Sequence, residues 1–228
     1  MTDRILPATL DSGPGDGPLL LLAHGAGAPM DSPFMERLAA LLTERNVATR
    51  RFEFRYMARR REDGRKRPPD RMPALENAFR SAVAEAREHW PGRSVAIGGK
   101  SMGGRVATHV ADAVDACAVV VFGYPFHPPG KPDAPRTTHL HGLAVPTLIL
   151  QGTRDPFGKR GELEAWQLPD GVAVHWLEDG DHDLKPRVAS GRTWRRNLEE
   201  AADATAGFLR IGRCSQFRHD TPEPLPAR

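Results

Sequence analysis

A serine set between pairs of glycines is the feature that most constrains what this chain can fold into. Residues 95–105 read VAIGGKSMGGR: a short apolar run is followed by two glycines, Lys100, Ser101, Met102 and two more glycines, after which a helical pattern begins. This stretch fits G-x-S-x-G in the order of strand, tight turn and helix that the motif requires. Such a turn strains the serine backbone, lifts the hydroxyl above the sheet and points a helix N-terminus at any anion beside it. The same residues can also form a plain strand-to-helix connection, so the rest of the chain has to decide.

The chain as a whole alternates between strand-like and helix-like segments. Continuous apolar runs predict strands covered on both faces, and apolar residues three and four positions apart predict helices. The predicted strands are Arg4–Leu10 at a sheet edge, Pro18–Ala23, Val47–Phe54, the run into Ser101, Ala116–Phe122, Val145–Gln151 and Val172–Leu177. The predicted helices are Pro33–Arg45, Leu75–Ala86, Met102–Ala113, Glu162–Trp166 and Trp194–Leu209.

This alternation predicts a single three-layer α/β domain over residues 1–211 and a polar tail over residues 212–228. The expected sheet is mostly parallel and doubly wound, with about six to seven strands and helices on both faces.

Composition and cysteine content indicate the cellular compartment of the protein. The 228 residues carry a net charge of only +3 and two cysteines, Cys117 in an apolar run and Cys214 in the polar tail. Two cysteines are too few for a disulfide framework, and both suit a reducing compartment. The first residues lack an apolar core of signal-peptide length, and the longest apolar runs are far shorter than a membrane span. We therefore expect a cytoplasmic protein that does not associate with membranes.

Two more polar residues follow strands at the same edge of the predicted sheet as Ser101. Asp155 comes after PTLILQ in a G-T-R-D turn, and His182 comes after the last strand in EDGDHD. Ligands bind beyond the carboxyl ends of parallel strands, and the chain order Ser, Asp, His is typical of this kind of sheet. A hydroxyl becomes a good nucleophile when an imidazole takes its proton, and a carboxylate orients that imidazole. The pattern therefore predicts a catalytic Ser101–His182–Asp155 triad.

Plainer interpretations exist for both partners of Ser101. Asp155 precedes a proline, as ordinary turn residues do, and His182 lies in an acidic loop where a surface histidine is common. Asp179, Asp181 and Asp183 compete for the role of orienting acid, but they lie too close to His182 in sequence to reach across its ring easily. We expect these three to be solvated or to form turns.

Backbone N–H groups near Ser101 are the expected donors to an oxyanion. One belongs to Met102; the other belongs to Ala26 or, as second choice, to Gly27, in the small-residue loop HGAG after the first long strand. His24 begins that loop, and we expect its side chain to orient the loop beside the substrate pocket. The other residues expected to line the pocket are Tyr56, Met57, Tyr124 and Phe126.

Residues 56–73, YMARRREDGRKRPPDRMP, are strongly basic and lack apolar periodicity, so we expect a long loop. Because this loop follows a strand, it leaves the sheet on the Ser101 side. Charge runs are usually solvated, but Arg65 and Arg67, together with Lys100, would make the mouth of the site electropositive and favour anionic substrates. Nucleic-acid binding is disfavoured because interleaved aromatic residues are few and acidic residues dilute the charge. A protein partner is the other use considered for this loop.

Three histidines, His127, His139 and His141, lie in the proline-rich connection over residues 123–144. Their spacing matches no known zinc motif, so we expect loop histidines near the pocket mouth rather than a metal site. The chemistry predicted for the triad requires neither a metal nor an organic cofactor.

From Leu19 to Leu209 the sequence resembles the α/β-hydrolase fold superfamily, and within it the small lidless branch near the dienelactone-hydrolase-like enzymes. Those enzymes use a cysteine where this chain has Ser101, so their lactone specificity is not implied here. The segments FRYM…GRKRPPD and GYPFHPPGKP also resemble a compact subfamily related to a non-catalytic-looking subunit of a chromatin acetyltransferase complex. The resemblance implies the triad roles given above and supplies no substrate.

Together these features predict a serine hydrolase that cleaves an ester-type bond of a small-molecule acyl substrate, as a carboxylesterase or thioesterase does. The alternative is a hydrolase fold kept as a scaffold or interaction module, because a fold does not determine a function. The intact triad favours the enzyme, and the basic loop favours the scaffold.

Overall fold

Seven strands form one central sheet in the computed structural model, which describes residues 9–211 and Cys214. The strands are β1 (Thr9–Ser12), β2 (Leu19–Ala23), β3 (Ala48–Phe52), β4 (Val95–Lys100), β5 (Val119–Phe122), β6 (Thr147–Gly152) and β7 (Val172–Leu177). Their order across the sheet is β1-β3-β2-β4-β5-β6-β7. Only β1 runs antiparallel, paired with β3, so the carboxyl ends of β2 to β7 lie at one edge. This is the α/β-hydrolase fold.

Six α-helices cover the sheet among the described residues. They are α1 (Pro33–Thr43), α2 (Arg55–Asp63), α3 (Met72–His89), α4 (Met102–Val110), α5 (Arg160–Trp166) and α6 (Trp194–Ile211). Short 3₁₀ turns occur at Thr138–Gly142 and Val188–Ser190. None of the helices in the described ranges is long and apolar enough to cross a membrane.

The two faces of the sheet carry separate apolar cores. One core packs β-strand side chains against α3 and α4, with Phe52, Phe54 and Phe79 in edge-to-face or tilted contact. The other packs the alternate strand side chains against α1 and α6. Along β4, Val95 and Ile97 belong to the first core and Ala96 to the second, as the two-residue period of a strand requires. This double cover explains why the central strands read as continuous apolar runs.

The predicted strands and helices between residues 18 and 211 all form, with ends shifted by a few residues. The basic segment is the exception. It was expected to be a loop over residues 56–73, yet its first part is helix α2, which ends at Gly64 in the left-handed conformation (φ 71°). Only Tyr56 and Met57 of this helix are buried, while Arg61 forms ion pairs with Glu53 and Asp31. Because ion pairs rather than an apolar stripe hold the helix in place, hydrophobic periodicity gave no sign of it.

The two cysteines form a disulfide across 97 positions of sequence. Cys117 precedes β5 at the amino-terminal end of the strands, and Cys214 is also buried, with only 6% of its surface exposed. The polar sequence around Cys214 gave no sign that this cysteine is buried and bonded to Cys117. The bond ties the chain beyond α6 to the end of the sheet opposite Ser101. Apart from Cys214, the predicted tail lies outside the described residues. So do residues 4–8 of the predicted edge strand, whose last two residues, Thr9 and Leu10, belong to β1.

Candidate active site

Ser101 lies between β4 and α4 in a backbone conformation that few residues adopt. Its φ of 52° and ψ of −114° place it in the strained region expected of a nucleophile elbow. The turn is possible because its flanks are glycines: a Cβ at Gly99 would collide with the carbonyl oxygen of Ala23, and one at Gly103 with that of His24. The sequence therefore specifies both the tightness of the turn and its close contact with the end of β2.

The three residues predicted as a triad meet at the carboxyl edge of the sheet. His182 Nε2 lies 2.8 Å from Ser101 Oγ, and His182 Nδ1 lies 2.8 Å from Asp155 Oδ2. If Nδ1 donates its proton to the carboxylate, Nε2 is left to accept the proton of the serine hydroxyl. The chemistry that this arrangement can perform is nucleophilic attack by Ser101 with His182 as general base.

Asp155 is completely buried, and a buried carboxylate needs hydrogen-bond donors. Its Oδ2 atom accepts from Gln151 Nε2 at 3.0 Å as well as from His182, and its Oδ1 atom accepts from the Phe157 N–H at 2.9 Å. Gln151, the polar residue near the end of β6, is held in turn by the backbone N–H of Tyr124. These contacts orient Asp155 toward the imidazole.

The ring of His182 also has a defined position on its other sides. Phe157 lies against it, with ring centroids 4.3 Å apart. Gly123 passes so close that a Cβ there would lie 2.8 Å from the His182 carbonyl oxygen and 3.3 Å from Nδ1. Gln151 and Phe157 were missed at the sequence level. The signal was a single amide near the end of the apolar strand PTLILQ, four residues before Asp155.

None of the other nearby acids reaches His182 in the described hydrogen bonds. Asp181 accepts from the backbone N–H groups of Asp183 and Lys185 and so forms a turn, as expected. Asp179 also lies in a turn, but it is buried rather than solvated, because it pairs with Arg187 and Arg154. The hydrogen bonds from Arg187 hold the pKa of Asp179 at about 2, well below its usual range.

The loop after β2 packs against Ser101, as the predicted oxyanion arrangement requires. A methyl group placed on Gly25 would lie 3.8 Å from Ser101 Cβ. No described hydrogen bond uses the backbone N–H of Ala26 or Gly27. The N–H of Met102 begins α4, where helix geometry leaves it without an intrahelical partner. The three predicted donors therefore have no competing described partner.

Helix α2 holds the carbonyl groups of the same loop, a role that sequence reasoning did not assign to it. The Tyr56 hydroxyl donates to the Ala26 carbonyl at 3.1 Å and lies 3.3 Å from that of Gly25, while Arg60 donates to the Gly27 carbonyl at 3.2 Å. A carbonyl and the N–H of the next residue belong to the same planar peptide unit. Holding the carbonyls of Gly25 and Ala26 toward α2 therefore fixes the directions of the N–H groups of Ala26 and Gly27. The basic segment thus supports the loop from behind.

His24 is buried and orients this loop from its other end. Its Nε2 atom accepts from the Phe54 N–H at 3.1 Å, and its Nδ1 atom lies 2.7 Å from the Gly25 carbonyl oxygen. Burial lowers the pKa of His24, so the ring is neutral near neutral pH. With no exposed surface, His24 lies behind the pocket that it was predicted to line.

The other predicted pocket residues are also deeply buried. Tyr56 and Met57 are 2% exposed, and Tyr124 and Phe126 have no exposed surface. The Tyr124 hydroxyl donates to the Arg136 carbonyl at 2.8 Å, and burial raises the pKa of Tyr124 to about 12. All four side chains therefore support the walls of the site from beneath. Met102 is partly exposed beside Ser101.

The three residues predicted to make the mouth electropositive lie in different surroundings. Lys100 is buried on the α1 side of the sheet, where Nζ pairs with Asp183 at 3.3 Å and lies over the Phe34 ring. It faces away from the mouth because Lys100 shares the strand face of Ala96. Burial lowers its pKa. Arg67 is paired with Asp63, and Arg65 is exposed.

Two of the three histidines in the 123–144 connection contact polar side chains of neighbouring residues. His127 lies 3.2 Å from Glu162, and His139 lies 2.9 Å from the Thr108 hydroxyl. His141 is exposed. Within the described ranges, no group of three or more His, Cys, Asp or Glu side chains is arranged to hold a metal ion.

Solved structures of known proteins share this architecture. An alpha-beta serine hydrolase homologue from Coxiella burnetii is 17% identical, with a TM-score of 0.66 over 88% of this chain and 90% of that one. An α/β serine hydrolase without a lid from Xanthomonas campestris is 16% identical, with a TM-score of 0.65 over 89% and 88%. A dienelactone hydrolase from Anabaena variabilis is 21% identical, with a TM-score of 0.67 over 88% of each chain. At these identities the likeness establishes the fold alone.

The sequence itself also matches a known family. No curated protein matches the chain, but the model of an alpha/beta hydrolase domain matches residues 16–210. That range contains the whole sheet from β2 to β7 and every residue of the site described above. The chain therefore belongs to the alpha/beta hydrolase domain family.

Proposed function

We propose that this protein is a serine hydrolase that cleaves the ester-type bond of a small acyl substrate, as carboxylesterases and thioesterases do. The observation that carries the proposal is the pair of 2.8 Å contacts by which His182 connects Ser101 to Asp155. A strained serine at a helix N-terminus, within hydrogen-bond distance of an imidazole, is the arrangement that activates a hydroxyl toward a carbonyl carbon.

The reaction divides into two acyl transfers. Ser101 Oγ attacks the carbonyl carbon while His182 Nε2 takes the hydroxyl proton, and the imidazolium is stabilised by Asp155. The oxyanion accepts hydrogen bonds from the N–H of Met102 and of Ala26. Collapse of the tetrahedral intermediate expels the alcohol or thiol, which receives the proton from His182. Water then attacks the acyl-enzyme with the same base and releases the acid.

Preference for anionic substrates is the finer part of this proposal. Arg65 is exposed and has no described side-chain partner, whereas the charges of Arg67 and Lys100 are balanced by Asp63 and Asp183. Long-range attraction by Arg65 weakens with salt. Turnover of an anionic ester is therefore expected to fall more steeply with added salt than turnover of a neutral one, and equal salt responses would contradict steering.

Labelling with a fluorophosphonate probe tests the nucleophile directly, because such probes report an activated serine. Native protein should be labelled, and labelling should disappear in Ser101→Ala and His182→Ala. Matched controls are Ser190→Ala, in an exposed 3₁₀ turn, and His175→Ala, on β7 and bonded to Glu200. Both should be labelled as the native protein is.

The possible outcomes separate the enzyme from the scaffold. Labelling that depends on Ser101 and His182 supports the hydrolase, and a panel of esters and thioesters would then identify the bond. A folded native protein that the probe does not label would contradict it. The basic segment would then be tested for a protein partner.

A further inference from the structure

A second polar cluster lies on α4, one helical turn beyond Ser101. Arg105, Thr108 and His109 share one face of the helix, and His139 packs against that face. The Thr108 hydroxyl lies 2.9 Å from His139 Nε2, and the His109 and His139 rings stack with centroids 3.8 Å apart. The cluster is completed by Arg136 and by Tyr124, whose hydroxyl donates to the Arg136 carbonyl.

Two guanidinium groups in this cluster lack an acidic partner. Neither Arg105 nor Arg136 forms an ion pair with any described residue, and Arg105 Nε is buried without a hydrogen-bond partner. In contrast, Arg61 and Arg67 of the basic segment each pair with a carboxylate. The Arg105 side chain does hydrogen-bond to Tyr124, but a phenol does not balance the charge of a guanidinium. Two guanidinium groups without a carboxylate partner are suited to bind an anionic ligand.

The other titratable groups of the cluster add little negative charge to offset the two arginines. Burial, and then the charge of Arg105, lower the pKa of Arg136 and of His109. Burial, His109 and then Arg105 lower the pKa of His139 to about 4, so both imidazoles are neutral near neutral pH. Glu76 is the carboxylate that faces the cluster, 3.8 Å from His109 Nδ1, and it is already paired with Arg80.

Backbone contacts connect the cluster to the reaction site. The Arg105 N–H donates to the Ser101 carbonyl at 3.0 Å, and residues four apart lie on one helix face. Helical side chains lean toward the helix N-terminus, so Arg105 leans toward Ser101. The loop that brings Tyr124 and Arg136 to the cluster begins at Gly123, which packs on His182. These contacts put the cluster on the elements that carry Ser101 and His182, with Arg105 on the Ser101 side of it.

We propose that Arg105 and Arg136 bind a second carboxylate, carried on the acyl group of the substrate, so that the preferred substrates are half-esters of dicarboxylic acids. This inference rests on the proposed hydrolase function and names its substrate class. A guanidinium presents parallel N–H donors that match the two oxygens of a carboxylate. Ser101 and Arg105 are four residues apart, a rise of about 6 Å along the helix, which a chain of roughly four carbon atoms spans.

Two esters of equal length test the proposal. They are 4-nitrophenyl hemiglutarate, which ends in a carboxylate, and 4-nitrophenyl pentanoate, which ends in a methyl group; the spontaneous rate is subtracted for each. The native ratio of kcat/KM, hemiglutarate over pentanoate, should be about tenfold or more. Arg105→Gln and Arg136→Gln should each lower that ratio by about tenfold to a hundredfold, the range expected when a hydrogen-bonded charge partner is removed.

A matched variant separates local binding from net charge. Arg196→Gln removes the same charge from the exposed side of α6, on the other face of the sheet, and should leave the ratio within about twofold of the native value. Both substrates are measured on the same preparation. An unfolded fraction therefore lowers both kcat/KM values by the same factor and leaves their ratio unchanged. Equal loss of the ratio in Arg196→Gln would overturn the proposal.

Remaining outcomes are also decisive. Hydrolysis of both esters with a ratio that Arg105→Gln and Arg136→Gln do not change would overturn the carboxylate subsite and leave the hydrolase intact. If the fluorophosphonate labels Ser101 but neither ester is turned over, the rate of labelling is measured in the presence of free glutarate or butyrate. Glutarate should slow labelling of the native protein more than butyrate does, and this difference should vanish in Arg105→Gln. Equal protection overturns the subsite, and no labelling at all overturns both proposals.

Discussion

The side-chain amide of Gln151 donates a 3.0 Å hydrogen bond to Oδ2 of Asp155, the same oxygen that lies 2.8 Å from His182 Nδ1. Gln151 is fully buried, and its own oxygen accepts from the Tyr124 N–H. The amide therefore links the loop after β5 to the loop after β6. Through this link, the position of the carboxylate depends on two strands of the sheet rather than on one turn.

Gln151→Leu should lower kcat/KM by about tenfold to a hundredfold, since a hydrogen bond to a charged group contributes about 1.5–3 kcal/mol. Steady-state kinetics on a neutral ester measures the effect. If Gln151 acts through Asp155, the loss should shrink strongly when Gln151→Leu is made in an Asp155→Asn background, because residues that act as a unit are not additive. Full additivity in this cycle would contradict a positioning role and indicate a general loss of stability.

Contacts within one strand or one turn could be predicted from sequence. The apolar run of β2 matches the predicted strand, because a strand buried on both faces leaves a continuous signal. The strained turn at Ser101 was predictable because only glycines fit its flanks. The meeting of Asp155 and His182 with Ser101 followed from parallel topology, which brings strand ends to one edge.

Features that depend on tertiary partners could not be predicted. Gln151 reads as an ordinary strand-end residue until the buried carboxylate beside it is known. Lys100 directly precedes Ser101 in sequence. Its direction is known only once α1 is placed on the sheet, because its ammonium then lies over Phe34 of that helix. Cys117 and Cys214 are joined over 97 positions, a separation about which local patterns carry no information.

Tyr56→Phe tests whether helix α2 positions the oxyanion loop. Removing the hydroxyl frees the carbonyls of Gly25 and Ala26, so the loop N–H should point less accurately at the developing charge. We expect kcat to fall about threefold to tenfold with KM nearly unchanged, a fraction of the loss that follows when an oxyanion donor is removed outright. Arg59→Gln, on the same helix but exposed and without a described contact to the loop, is the control. A change confined to KM would argue for substrate binding instead.

Stability should depend on pH through the partly buried histidines near α4. Burial, chiefly, lowers the pKa of His139 from the ordinary histidine value of 6.5 to about 4. Below about pH 6.5 the unfolded chain therefore binds a proton that the folded protein does not, and the free energy of unfolding falls as the pH falls toward about 4. After a discount for partial exposure, this histidine should contribute a loss of about 1 kcal/mol between roughly pH 7 and pH 5.

Urea unfolding at both pH values measures this slope. His139→Gln should flatten it, whereas His141→Gln, at an exposed position on the same 3₁₀ turn, serves as the control and should not. If His139→Gln leaves the change of unfolding free energy with pH unaltered, the dependence comes from other groups. His24 and His109 are the candidates, because burial lowers their pKa values too.

Reduction of the disulfide should destabilise the fold without disturbing the chemistry. Cys117 and Cys214 close a loop across 97 positions, and a link across about 100 residues stabilises a protein by about 4–5 kcal/mol when the unfolded chain is otherwise free. Cys117 lies before β5 and its N–H donates to the carbonyl of Val95 at the start of β4, so the bond is at the end of the sheet remote from Ser101. Cys117→Ser should therefore lower the free energy of unfolding in urea by a few kcal/mol and leave kcat/KM in dilute buffer within about twofold.

A reductant should lower the stability of the native protein to the same level and have no effect on the variant. Equal stability with and without reductant, in protein whose thiols are shown to be oxidised beforehand, would mean that the chain beyond α6 adds nothing to the fold through this bond.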